Sequence, residues 1–201
     1  MKIQFFVFCF CLLIMASCKS STEPGPSYNF FPLTVGSYWK YTGDKTFTRT
    51  VIGDTVINGK TYAIIKQSNN DSLSYYRKDG NIIYSLRRDT ANVFKDFMYV
   101  NPTPGGSGKY SIFTLIGASE LRLTNVTWSN TRMNFADTIN GKPYSNVMVE
   151  HVRSVIVYHD TSSSSQFSTT EGDYYFADGV GLIDQLVSPS GTELLVEYQI
   201  R

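Results

Sequence analysis

Beyond an apolar N-terminal run, hydrophobic residues recur at every second position in short stretches separated by turn-forming residues. Residues 37–43 carry Tyr38, Trp39 and Tyr41, and residues 45–52 alternate through Phe47, Arg49 and Val51. Period-two patterning marks a strand, whose successive side chains point to opposite faces. Asn58-Gly59 and Asn140-Gly141 predict tight type I′ hairpins, because both central positions of that turn require positive φ. Asp79-Gly80 predicts another hairpin, between strands at 72–78 and 81–88. Further strands are expected at 61–67, 110–115, 121–128, 147–158, 173–176 and 181–187. Residues 101–109, Asn69-Asn70-Asp71, the serine tract 162–165 and Pro189-Ser190-Gly191 predict loops or turns. The final stretch alternates cleanly: Leu194, Val196, Tyr198 and Ile200 share one face, and Glu193, Glu197, Gln199 and Arg201 the other. The first set is expected to be buried and the second wet.

Helical periodicity is nearly absent, and residues 92–100 are the only ambiguous stretch. The fold class is therefore all-β, with about ten to twelve strands. The expected architecture is an antiparallel, strongly curved meander forming a barrel or half-barrel, with a two-sheet sandwich as the alternative. An aromatic content of 14%, mostly Tyr and Phe, agrees with strands. Segment 54–62 resembles segment 137–144, either because similar hairpins share turn chemistry or because a β half is duplicated.

The N-terminus changes the picture of where such a domain sits. Lys2 precedes an apolar run from Ile3 to Met15, shorter than the ~20 residues a spanning helix needs. It predicts a signal peptide over 1–17. The run ends in Met15-Ala16-Ser17-Cys18, which resembles the lipobox of bacterial lipoproteins, with Met where Leu is usual. The resemblance implies cleavage before Cys18 and acylation of that cysteine, which would then hold the chain on a membrane. Cys9, Cys11 and Cys18 are the only cysteines, so residues 19–201 can form no disulfide and offer no thiolate nucleophile or ligand. Residues 18–28 are polar and Pro/Gly/Ser-containing, the composition of a tether, and residues 29–201 form a single β domain. Lys19 is not an acidic inner-membrane retention signal of the enterobacterial kind, so the outer membrane is expected, in either leaflet.

Charge and motifs mostly exclude. Lys plus Arg total 18 and Asp plus Glu 17, and removing residues 1–17 takes away Lys2 alone. A balanced domain gives no electrostatic case for nucleic acid. The two histidines, His151 and His159, are about 26 Å apart along one extended strand, too far to share a metal. Glu150 and His151 are neighbours and so point to opposite faces of that strand. No G-x-S-x-G, G-x-x-x-x-G-K-[ST] or G-x-G-x-x-G motif occurs. Glu171, Asp173 and Asp178 are the carboxylates a glycosidase pair would draw on; the plainer expectation is solvated loop acids. Asn125-Val126-Thr127 matches a glycosylation acceptor by coincidence of composition. No catalytic residue, metal site or cofactor is expected.

Two segments carry a wider resemblance. Phe31-Pro32-Leu33-Thr34-Val35-Gly36-Ser37-Tyr38-Trp39-Lys40-Tyr41 is similar to an F-P-L-x-x-G-x-x-W-x-Y opening motif. Tyr175-Phe176-Ala177-Asp178-Gly179-Val180-Gly181-Leu182 is similar to an aromatic-F-A-x-G-V-G-L motif near the C-terminus of the same proteins. These are small Gram-negative envelope lipoproteins, largely of unassigned function, and the resemblance implies a β-rich lipoprotein domain without catalytic residues. Trp39 and Tyr41 share a strand face and are expected in the core. Gly36 is expected at a bend, and Gly179 and Gly181 at a tight turn. The resulting expectation is a non-enzymatic binding or assembly module tethered through Cys18, with an acyl chain, a glycan or a protein as partner. A structural subunit of an outer-membrane complex and a hydrolase of envelope polysaccharide or peptide are the alternatives. An acyl carrier would need an apolar sheet face that side chains leave unfilled.

Overall fold

The computed structural model describes residues 27–70, 73–88, 93–116, 120–159, 166–188 and 191–201. Cys18, the signal peptide, most of the tether, the serine tract, Asp71 and Pro189-Ser190 lie outside the described residues.

Twelve strands follow one another along the chain. The first six are β1 (Tyr38–Gly43), β2 (Phe47–Ile57), β3 (Lys60–Gln67), β4 (Leu73–Asp79), β5 (Ile82–Arg88) and β6 (Phe94–Val100). The second six are β7 (Ser107–Ile116), β8 (Glu120–Ile139), β9 (Lys142–His159), β10 (Gln166–Ala177), β11 (Gly181–Ser188) and β12 (Gly191–Gln199). They form a single antiparallel sheet in the order β6-β5-β4-β3-β2-β1-β12-β11-β10-β9-β8-β7. One sheet, not two, makes this the curved meander of the two expected architectures, nearly closed into a barrel-like shape. First and last strands pair in the middle of the sheet, and the two edges are β6 and β7, which are consecutive in sequence. Curling brings those edges together: the Phe97 and Tyr110 rings meet across the seam at 5.6 Å. Asn130 on β8 ties down the connecting loop by donating its side-chain amide to the Asn101 and Thr103 carbonyls.

The Asn-Gly hairpins have the expected positive φ at both residues, 52° and 74° at Asn58-Gly59, 52° and 72° at Asn140-Gly141. They lie six strands apart in both chain and sheet, so the similarity of segments 54–62 and 137–144 coincides with equivalent places in two six-strand halves. The third hairpin differs from expectation. Asp79 pairs with Ile82, which puts Gly80-Asn81 at the centre, with only Gly80 at positive φ.

Other departures have local causes. Residues 94–100 are strand, so the ambiguous stretch resolves to an edge. β7 begins at Ser107, inside the expected loop, because Gly108 lets the Trp128 indole lie on its backbone; a Cβ there would sit 2.7 Å from the ring. β8 continues past Trp128 through Ser129-Asn130-Thr131 to Ile139, with register shifts at three places absorbing its polar middle. In β12 the expected phase fails. Lys40 pairs with Glu197 but Tyr41 with Leu195, so Val196 is an extra residue and the alternation flips across it. Leu195 is the buried residue at 1% exposure, while Tyr198 is 38% exposed.

One part of the interior is packed solid. Residues 27–36 enter it ahead of β1, with Phe30, Phe31 and Pro32 buried. Phe31 stacks on Trp39 and touches the rings of Tyr76 and Tyr99, filling the space that strand curvature leaves. Arg49, also inward, lies over the Tyr41 and Phe47 rings and is paired with Glu193 at 3.2 Å. Trp39 and Tyr41 are thus core residues.

Candidate functional site

The two motifs noted in the sequence meet across the barrel and close this packed part. The Trp39 indole donates to the Val180 carbonyl, and the Tyr41 hydroxyl donates to the Leu182 carbonyl at 3.1 Å. Asp178 accepts from the Asn29 backbone N–H at 2.6 Å, and the Gly179 N–H donates to the Asn29 carbonyl. Gly181 has φ of 110°, and a Cβ on it would stand 3.2 Å from the Trp39 Nε1. Every polar group named here is matched, which is a structural arrangement and leaves no room for a ligand at Trp39 or Tyr41.

Tyr99 and Phe176, whose rings meet edge to face at 6.5 Å, form a partition. Beyond it lies a cavity of about 340 Å3. Its wall comes from alternate positions of adjacent strands. β8 presents Arg122, Thr124, Val126 and Trp128; β9 presents Glu150, Val152 and Ser154. Tyr110 and Ile112 of β7 stand across from Val126 and Thr124, and Tyr174 of β10 stands across from Glu150. Arg87 of β5 completes the wall across the β6–β7 seam. The volume is at the lower end of the ~300–1,000 Å3 usual for small-molecule sites.

Glu150 is the unusual member. It is 4% exposed, and its Oε2 has no hydrogen-bond partner. Burial alone pushes its carboxyl up to about 8, so it is uncharged at neutral pH. Burial also raises Tyr110 and carries Tyr174 up to about 12, and both feel Glu150. A buried acid held neutral is a hydrogen-bond donor.

On the opposite face of β9, His151 meets the two acids the sequence offers as a carboxylate pair. Its Nδ1 is 2.8 Å from Asp173 Oδ1 and its Nε2 is 3.0 Å from Glu171 Oε1. These acids are not on a loop, as expected, but in the middle of β10, directly across from His151 and Arg153. The long β10 forms because Gly172 allows the β11 backbone to approach; a Cβ there would be 2.3 Å from the Leu186 carbonyl. Asp173 first, and Glu171 after it, raise the His151 pKa by accepting its N–H groups. Ser129 pairs with His151 in register, but both ring nitrogens already face carboxylates, so the row Ser129-His151-Asp173 is not arranged as a nucleophilic triad. Asp178, the third acid, is the cap on Asn29.

β9 runs unbroken through the positions of both histidines. Among the described residues, no group of three or more His, Cys, Asp or Glu is placed to hold a metal ion, and no helix is long and apolar enough to cross a membrane. Comparison with protein-family models, curated proteins and solved structures gives no match.

The cavity residues carry little mark in the sequence. One signal was present. Glu150 shares its strand face with Met148 and Val152, and an acid at an inward position of an apolar strand is informative where an exposed one is not.

Proposed function

We propose that the chain is a lipid-anchored envelope module that holds a small ligand in the open part of its barrel, without transforming it. Anchoring follows the lipobox-like Met15-Ala16-Ser17-Cys18, with Cys18 as the acylated residue and the outer membrane as the site. The observation that carries the binding reading is the cavity itself, an unfilled space in an otherwise tightly packed sheet, with an unpartnered buried carboxyl in its wall. An acyl chain fits this space less well than a glycan. The apolar interior is filled by Phe30, Phe31 and Pro32, and the unfilled part mixes Trp and Tyr rings with Arg, Glu, Thr and Ser. Hydrocarbon placed against a buried carboxyl would leave that group unpaired, at about 1–3 kcal/mol.

Native mass spectrometry of the full chain, purified from a bacterial envelope under mild conditions, tests this reading. A reproducible added mass that Glu150→Leu removes is expected. A bare chain at its acylated mass under every extraction condition would overturn it.

A further inference from the structure

Taking the cavity as the binding site, its wall specifies the chemistry of the occupant. On β8, in direct register with Glu150 and next to the cavity lining, Asn130 gives its amide N–H groups to the Asn101 and Thr103 carbonyls, and its Oδ1 has no partner. Two neighbouring buried groups are therefore unmet, one a carboxyl that donates and one an amide oxygen that accepts. Glu150, the one of the two that lines the cavity, is met by a ligand hydroxyl, which accepts the proton that the neutral carboxyl donates. Tyr99, Tyr110, Trp128 and Tyr174 add flat apolar faces with polar edges, a wall suited to a ring whose faces are C–H and whose rim is hydroxyl. Arg87 and Arg122 bring two guanidinium groups to the same cavity.

We infer that the cavity binds an acidic saccharide, a hydroxyl-bearing ring with a carboxylate, one hydroxyl on Glu150 and the carboxylate towards Arg87 and Arg122. An anionic ligand requires Glu150 to stay protonated. The groups facing it are Asn130 from β8, which does not titrate, Tyr110 from β7 and Tyr174 from β10; Arg87 and Arg122 share the cavity. Burial raises both tyrosines, while it brings the Glu150 carboxyl to about 8. Affinity falls as pH rises through about 8.

The test is an NMR titration of the full chain in detergent with glucuronate, glucose and decanoate, each at pH 6.5 and 9.5. Glucuronate is expected to bind about tenfold or more tighter than glucose or decanoate at pH 6.5, and to weaken by a similar factor at pH 9.5. Glu150→Gln, which keeps a donor and cannot ionise, is expected to bind glucuronate at pH 6.5 and to keep it at pH 9.5. Equal binding of glucose overturns the charge requirement, and a pH-dependent loss unchanged in Glu150→Gln overturns the role of Glu150. Preference for decanoate overturns the saccharide while leaving a binding cavity. Silence from all three, with an added mass in native spectrometry, overturns the saccharide alone; without that mass the cavity reading falls too.

Discussion

The two tryptophans mark two regions built from one sheet. Trp39 and Trp128 are both buried, at 2% and 6% exposure. Around Trp39 the space is filled: its indole has the Val180 carbonyl, Phe31 stacks on it, and the nearby Arg49 is matched by Glu193. Trp128 borders a cavity, and beside it Glu150 of β9 and Asn130 of β8 carry unmatched oxygens. Identical strand geometry supports both, so the difference lies in what enters the barrel. Among the described residues, the chain supplies a plug, residues 27–36, on the Trp39 side and none on the other. A region that gives up packing while retaining buried polar groups is organised for something other than stability.

The comparison breaks most directly by truncation. Trp39→Ala is expected to destabilise by about 3–5 kcal/mol, since it opens a cavity in a filled region and leaves a carbonyl unpaired. Trp128→Ala should cost about half as much, because one side of the ring already faces open space. Urea unfolding followed by circular dichroism measures both. Equal losses would mean that the Trp128 region is packed as tightly as the plug.

Glu150→Gln is expected to have the next largest effect, with the opposite sign. The carboxyl is raised in the folded state, so the sign follows from where each state ionises. Below about pH 4 both states are protonated and the variant gains nothing. As pH rises towards 8 the unfolded chain ionises and the folded one does not, so the native protein loses stability; above 8 the loss is complete. At pH 9 the glutamine variant should therefore be more stable, by on the order of 3 kcal/mol. Unfolding midpoints at pH 4 and pH 9 check this, and a gain independent of pH would contradict the buried neutral acid.

How much of this was legible follows the range of the interactions involved. Asn58-Gly59 and Asn140-Gly141 declare their hairpins within two residues, and alternation through Phe47, Arg49 and Val51 declares a strand, so the all-β meander could be read. The two motifs were visible, but not that they bond to one another, because Trp39 and Val180 are 141 positions apart. The phase of β12 was misread since the extra residue at Val196 shows only against its partner β1. The acids of β10 flank Gly172, whose place in a strand shows only once β11 is seen lying against it. The cavity is the least legible feature. Its wall draws on β5 through β10, and it exists only because edges β6 and β7 curl towards each other.

The smallest expected effect separates the two faces of β9. Glu150 faces inward and is held neutral; His151, next in the chain, faces outward, and carboxylates on both nitrogens favour its charged form. A histidine raised in the folded state adds stability that is fully present below its ordinary value near 6.5 and is lost as pH rises through the raised one. Asp173→Asn removes the larger cause, so it should lower the His151 titration midpoint, seen by NMR of the ring protons, more than Glu171→Gln does. The pair is partly exposed, with the His151 side chain at 35% and Asp173 at 42%, so water screens it and the stability change at pH 5 should be only about 0.5 kcal/mol. At pH 9 the difference should vanish. The same substitution should leave saccharide binding within error, because the strand separates His151 from the cavity; a change in binding would mean that the outer clamp positions Glu150, and that the two faces act as one site.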